Sequence, residues 1–320
     1  MTAATASHFP QLKAALPLAK QAISSWVDDY GQSMGAALAY YTVFSLAPLL
    51  LIVISVAGLI FGPEAARGEI IGQLSGLMGD DAAHAVQGLL ENANKPATSA
   101  IATALGLVML LVGATTVFAE LQDALDRIWR APARGKPGGI WGLLRSRFLS
   151  FGMILGIGFL LMVSLVFSAA VSALQTWWSP LFGGWAILAD VVNQVLSFAL
   201  TMAAFSMIYK VMPRVRIRWH DVWVGAGVTA LLFTVGKYLI GLYIGKSGIT
   251  SSFGAAGSLV VLLLWVYYSA QIFLIGAEFT WVYAHTYGSR QGQAQAPRPI
   301  DASEQPIPAR AQSALGANTR

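Results

Sequence analysis

The stretch LVVLLLWVYYSAQIFLIGAEFTWVYA, Leu259–Ala284, holds a single charged residue, Glu278, in a run longer than the roughly 20 apolar residues that carry one helix across a bilayer. It is not alone. Charge-free intervals cover Tyr30–Pro63, Ala97–Ala119, Phe148–Ala189, Val191–Tyr209 and Ser247–Ala277. Over all 320 residues, 56% are hydrophobic and 11% charged, against about a quarter charged in a soluble domain. Such runs exclude a soluble core and define a membrane protein.

Working outward, six spans are expected: Ala36–Phe61, Ser99–Leu121, Phe148–Leu174, Ala186–Tyr209, Val222–Ile244 and Leu259–Tyr283. The connection after the second holds Arg127, Arg130, Arg134, Lys136, Arg145 and Arg147, and the one after the fourth holds Lys210, Arg214, Arg216 and Arg218. By the positive-inside rule both are cytoplasmic. The alternate connections are acidic or uncharged apart from Arg67, Lys95 and Lys246, so both termini are expected in the cytoplasm. The fold class is therefore all-α: a polytopic six-transmembrane-helix bundle. Residues 63–98 place apolar side chains at helical spacing (Ile70, Ile71, Leu74, Leu77, then Val86, Leu89, Leu90) and predict two short helices broken at Gly79-Asp80, a small extracytoplasmic cap.

Residues 1–35 mix Lys13, Lys20, Asp28 and Asp29 into a weakly amphipathic pattern. They lack the apolar region of a cleaved signal and predict a cytoplasmic helix lying on the membrane surface. Residues 36–287 form the membrane domain, and residues 288–320, rich in Gln, Ala and Pro, predict a disordered cytoplasmic tail. The chain has no cysteine and a net charge of +5. Because the basic residues flank spans, orientation explains them and nucleic acid does not. Arg127, Arg130, Arg145, Arg147, Arg214, Arg216 and Arg218 are placed to meet anionic lipid headgroups.

Polar stripes run along three spans: Tyr267, Gln271 and Glu278 on the last; Asp190, Asn193, Ser197 and Thr201 on the fourth; Thr116, Glu120 and Asp123 at the end of the second. Hydrocarbon cannot satisfy such groups. They either hydrogen-bond between helices or line a polar path. Glu278 lies roughly 8 Å from the cytoplasmic end of its span, Lys237 roughly 22 Å from that of its own. Glu278 is then an anchor for an arginine such as Arg127 or Arg147, or a protonatable group in a cavity; Lys237 snorkels outward or meets Asp190.

Glycine pairs four apart (Gly58/Gly62, Gly152/Gly156, Gly241/Gly245, and Gly68, Gly72, Gly76 in the cap) allow close helix approach. Pro48 predicts a kink that could act as a hinge. Trp177, Trp178, Trp185, Trp219 and Trp223 sit at span ends as an aromatic belt does. Metal-hydrolase and P-loop signatures are missing: the four histidines are isolated, and Gly245-Lys246-Ser247 has Ile240 where a P-loop needs its first glycine. No catalytic, cofactor or metal residues are nominated.

Four stretches, LAYYTVFSLAPLL (Leu38–Leu50), ALDRIWR (Ala124–Arg130), MPRVRIRWHDVWVGAGVTALLFTVGKYLIGLYI (Met212–Ile244) and FGAAGSLVVLLLWVYYSAQIFLIGAEFTW (Phe253–Trp281), resemble the YihY/BrkB family of bacterial inner-membrane proteins. The resemblance implies a six-span protein of the bacterial cytoplasmic membrane with Pro213, Asp221, Lys237, Tyr267 and Glu278 at motif positions. It supplies no settled activity, since the family is labelled variously as of unknown function, a virulence factor or a transporter. The older ribonuclease BN label needs metal ligands or acid-base groups that these residues do not offer. The expected function is transport of a lipid, anion or other small solute along a polar route through Glu278, Lys237, Tyr267, Gln271, Asn193 and Thr201, in one chain or a homodimer. The alternative is a non-transporting envelope-assembly scaffold.

Overall fold

The computed structural model describes residues 10–93, 116–132, 185–247, 253 and 256–293. Those residues are helical or turns, with no strand among them. The helices are α1 (Pro10–Asp28), α2 (Gly31–Phe61), α3 (Pro63–Met78), α4 (Asp80–Ala93), α5 (residues 116–128), α6 (Trp185–Val211), α7 (Trp219–Ser247) and α8 (Gly257–Thr286). Three of them, α6 from Val191, α7 and α8, are long and apolar enough to cross a membrane. The expected first span falls inside α2, which runs unbroken through Pro48. The third span, most of the second, and the connection with Arg134, Lys136, Arg145 and Arg147 lie outside the described residues, so six spans are an expectation that three helices meet in part.

The helices extend past the apolar runs at both ends because polar residues at the bilayer surface propagate a helix as well as apolar ones do. The cap is a helix pair as the spacing predicts. Pro63 starts α3 at a position that needs no N–H, with Glu64 favourable in the first turn. Gly79, at φ 83°, separates α3 from α4 in a conformation that side chains disfavour. On α4, Ala82, Val86 and Leu90 fall on one face and are buried.

Two apolar clusters organise the molecule. At the capped end, Ala39, Val43, Leu50 and Ile54 of α2 meet Val86 and Leu90 of α4, Ile240 and Ile244 of α7, and Val261, Leu262 and Val266 of α8. At the opposite, arginine-rich end, Leu18 and Ala22 of α1 join Met34 and Leu38, Leu125 and Ile128, Tyr209, Val222, Ala226 and the α8 residues Leu274, Ala277 and Trp281. Helix α8 is the common axis of both.

The α7–α8 contact is an interlock of two matching pentapeptides, GAGVT (Gly225–Thr229) and GAEFT (Gly276–Thr280). Each threonine hydroxyl donates to the carbonyl of the glycine four residues before it, Thr229 to Gly225 at 2.8 Å and Thr280 to Gly276 at 2.7 Å. Each threonine then occupies the hole left by the other helix's glycine: a methyl at Gly225 would overlap Thr280, and one at Gly276 would overlap Thr229. Gly236 makes the same room for Ile272. The glycines expected to serve this purpose show no such contact among the described residues: none of these lies within 4 Å of a Cβ built on Gly241, Gly245, Gly68, Gly72 or Gly76, and Gly58 meets Pro63 at the neighbouring turn, 3.1 Å away. Gly152 and Gly156 lie outside the described residues.

Candidate functional site at the arginine-rich end

The stripe on α8 is divided in its roles. Gln271 is a structural tie: its Oε1 accepts from the Trp26 indole of α1 at 3.0 Å and its amide donates to the Gln32 carbonyl at 3.4 Å. Gly31 and Gly35 make this geometry possible, since a methyl at either would overlap the Trp26 ring or the Gln271 amide. A left-handed Tyr30, at φ 60°, turns the chain from α1 into α2. Helix α1 thereby folds back along α8 and buries Leu18, Ala22, Ser25 and Asp29 at helical spacing. Gln271 is level with the first turn of α2, and Glu278 lies two turns further along, roughly 10 Å towards the arginine-rich end. Glu278 is 1% exposed, on a helix segment whose neighbours Leu274, Ala277, Trp281 and Val282 are also buried. Tyr267 is half-buried.

The α6 stripe is different. Asn193 and Ser197 are exposed and Thr201 half-buried, and the Thr201 hydroxyl turns back to the Ser197 carbonyl at 2.8 Å. Between Val191 and Leu200 no side chain of α6 is fully buried; Met202 and Phe205 pack against the arginine-end cluster, and Ser206 and Tyr209 are fully buried. There the Tyr209 hydroxyl donates to the Phe273 carbonyl of α8 at 2.7 Å and lies 3.0 Å from Thr229 Oγ1 of α7, pinning three helices together. Of the remaining candidates, Lys237 places its ammonium 5.3 Å from the Tyr238 ring centre and Glu120 is half-buried on α5; the Asp190 and Pro48 side chains lie outside the described residues.

Four segments distant in sequence converge below Glu278. Asp126 accepts from the Arg214 backbone N–H at 2.9 Å and pairs with its guanidinium at 3.0 Å, while Gln122 donates to the Met212 carbonyl at 3.1 Å. This locks the end of α5 to the α6–α7 connection. Arg130 lies over the Trp281 ring at 4.3 Å and Arg127 over Tyr30 at 5.6 Å. Lys210 donates to the Ile217 carbonyl and sits 5.3 Å from the Trp219 ring. The chain after α8 does not leave the fold at residue 288 as expected. Buried Asp221 of α7 accepts from the Ser289 hydroxyl at 2.5 Å and its N–H at 3.1 Å, and Arg290 donates to the Arg216 carbonyl at 3.2 Å while lying 5.4 Å over the Trp129 ring. Between them Arg216, Arg218, Arg290, Ser289, Gln293 and Ile217 line a cavity of about 330 Å3.

Apolar helices of spanning length, joined by a dense arginine-tryptophan layer at one end, define an α-helical multi-span membrane protein. The chain belongs to the Virulence factor BrkB family, which it matches over residues 22–301. It is similar to a UPF0761 membrane protein of Tolumonas auensis, 31% identical over 180 residues, 56% of each chain. It is also similar to one of Pseudomonas paraeruginosa, 30% identical over 256 residues, 79% of this chain and 59% of that one, and to one of Psychrobacter, 27% identical over 263 residues, 81% and 47%. The chain thus spans about half to three-fifths of these relatives. No solved structure matches it.

Proposed function

We propose that the protein is a transporter of the bacterial cytoplasmic membrane, moving a lipid, an anion or another small polar solute, with its arginine-rich end and both termini in the cytoplasm. The observation that carries this reading is the α6 stripe. Residues serving as interhelical glue should be turned into a contact, as Gln271 is; Ser197 instead stands exposed on a helix of spanning length, and the Thr201 hydroxyl bonds only back to the Ser197 carbonyl of its own helix. At that depth exposed polar groups call for water or a polar solute. A second copy set against the exposed half of α6 would wall such a route. Glu278 and Lys237 are the ionisable groups assigned to the route in this scheme, with Tyr267 and Thr201 along the way.

The test is flux in proteoliposomes of the full chain, using headgroup-labelled phosphatidylglycerol and inorganic phosphate as probes, with Ser197→Leu/Thr201→Val beside wild type. Transport predicts protein-dependent movement of one probe that falls severalfold in the variant at unchanged thermal stability. No movement of either probe, or a variant that only melts earlier, refutes it. The second reading, a scaffold, is favoured by the Gln271 and Asp126–Arg214 ties, which fasten the arginine-rich end.

A further inference from the structure

We propose that the cavity between the α6–α7 connection and the turn after α8 is a phosphate-group site, which seats the headgroup phosphate of an anionic membrane lipid. Its lining brings three guanidinium groups, Arg216, Arg218 and Arg290, together with the Gln293 amide and no carboxylate. Three like charges around one small space repel one another, and an anion at the centre adds an attraction to each of them that offsets the repulsion. The planar donor fork of arginine suits phosphate oxygens, two bonds at a time.

The topogenic bias of membrane loops explains Arg216 and Arg218, which border a span. It accounts for the charge of Arg290 as well, just past α8, but not for its convergence on the cavity, which Arg290 reaches only because the chain after α8 is held. The nearest acid on α7, Asp221, is 1% exposed and spends its oxygens on the Ser289 hydroxyl and N–H. Those bonds fix the turn from which Arg290 projects. The Arg290 guanidinium is fixed in turn by the Arg216 carbonyl and the Trp129 face. A methyl at Gly288 would overlap the Asp221 carboxylate, so the turn also depends on glycine there. A cation restrained before its ligand arrives loses little entropy on binding.

Position favours a lipid as the source. Arg218 is followed at once by Trp219 and, one turn on, by Trp223, both exposed, with ring centres 6.4 Å apart. Paired indoles at the start of a spanning helix sit at headgroup level. The cavity beside them is then open to the lipid phosphate plane. This proposal is independent of the transport reading, because a scaffold could hold lipid in the same way.

The test uses the full chain in neutral phosphatidylcholine nanodiscs, titrated with dihexanoyl phosphatidylglycerol, dihexanoyl phosphatidylcholine or inorganic phosphate, with binding followed by tryptophan fluorescence. Saturable binding of phosphatidylglycerol is expected, competed by inorganic phosphate and weakened about tenfold or more in R290Q and in R216Q/R218Q. The double variant changes exposed side chains, so it should melt with wild type and remains informative if R290Q fails to fold. Saturable, arginine-dependent binding of inorganic phosphate alone would overturn the lipid source and leave a soluble phosphate as ligand. Absence of saturable binding, equal binding of phosphatidylcholine, or indifference to the double variant would overturn the site.

Discussion

Replacing Gly225 by alanine tests the α7–α8 interlock most directly. The added methyl would overlap the Thr280 hydroxyl, which can rotate away, but it also comes within 2.6 Å of Thr280 Cβ and 2.8 Å of its Cγ2. Carbon atoms prefer about 3.5–4.0 Å, so no single rotation clears the contact and the helices must part by about 1 Å. Overpacking of this kind costs about 1–3 kcal/mol, and a backbone-adjacent contact belongs at the upper end. Alanine returns about 1 kcal/mol of helix propensity, which leaves a net loss of about 2 kcal/mol, near thirtyfold in the folded-to-unfolded ratio. Gly241→Ala is the control on the same helix: with no described residue within 4 Å it should gain up to about 1 kcal/mol. Unfolding by dodecyl sulfate in mixed micelles, followed by tryptophan fluorescence, should separate the two clearly. Adding Thr280→Gly to Gly225→Ala removes all three clashing atoms and should recover more stability than the two single changes predict together. Equal midpoints for Gly225→Ala and Gly241→Ala would refute the interlock.

Gln271→Leu strands the Trp26 N–H and should cost about 1–3 kcal/mol and loosen α1, speeding tryptic cleavage after exposed Lys20 while the spanning helices stay protected; an unchanged rate would mean that α1 is held by its apolar face alone. Tyr209→Phe removes the hydroxyl that joins α6 to the Phe273 carbonyl and should lower stability by about 1 kcal/mol in the same micelle titration, with no shift expected if α6 is held elsewhere. Asp126→Asn weakens a partly exposed pair with Arg214, so the loss is about 1 kcal/mol at most; its clearer mark should be faster hydrogen exchange across residues 212–218, and unchanged exchange would remove Asp126 as the lock.

What could be read without coordinates followed from periodicity and charge. Charge-free runs marked the α6 and α8 cores, α7 was legible as an apolar run in spite of Lys237, and Gly79 between two apolar stripes marked the break in the cap. Among the described residues no helix closes on Gly241 or Gly245: spacing on one helix shows where a partner could approach, while approach itself depends on what the partner presents. The true signal, Gly-x-x-x-Thr on α7 and again on α8, becomes meaningful only when the two helices are set antiparallel and each threonine is matched with the opposite glycine. Gln271 belongs to a polar stripe by position, yet its bonding is decided by α1 folding back, which a weak amphipathic pattern did not announce. Arg290 and Ser289 stand beyond a Gly in a polar, Pro-rich segment, where composition points away from order; the hold on them comes from Asp221, 68 residues away from Ser289. Long-range polar partners of this kind leave no local trace.

The clasp of α1 against α8 also bears on how the molecule is made. Helix α1 emerges from the ribosome before α8, but the surface that covers Leu18 and Ala22 includes Leu274, Ala277 and Trp281, which are translated some 250 residues later. Until then its inner face, with Ser25 and Asp29 on it, has no permanent seat and must wait at the membrane or on a chaperone. The arginine-rich end can therefore close only after α8 has entered the bilayer. Its assembly would report that α8 is inserted, and a chain arrested before α8 would display an uncovered α1 to the cell's quality-control proteases.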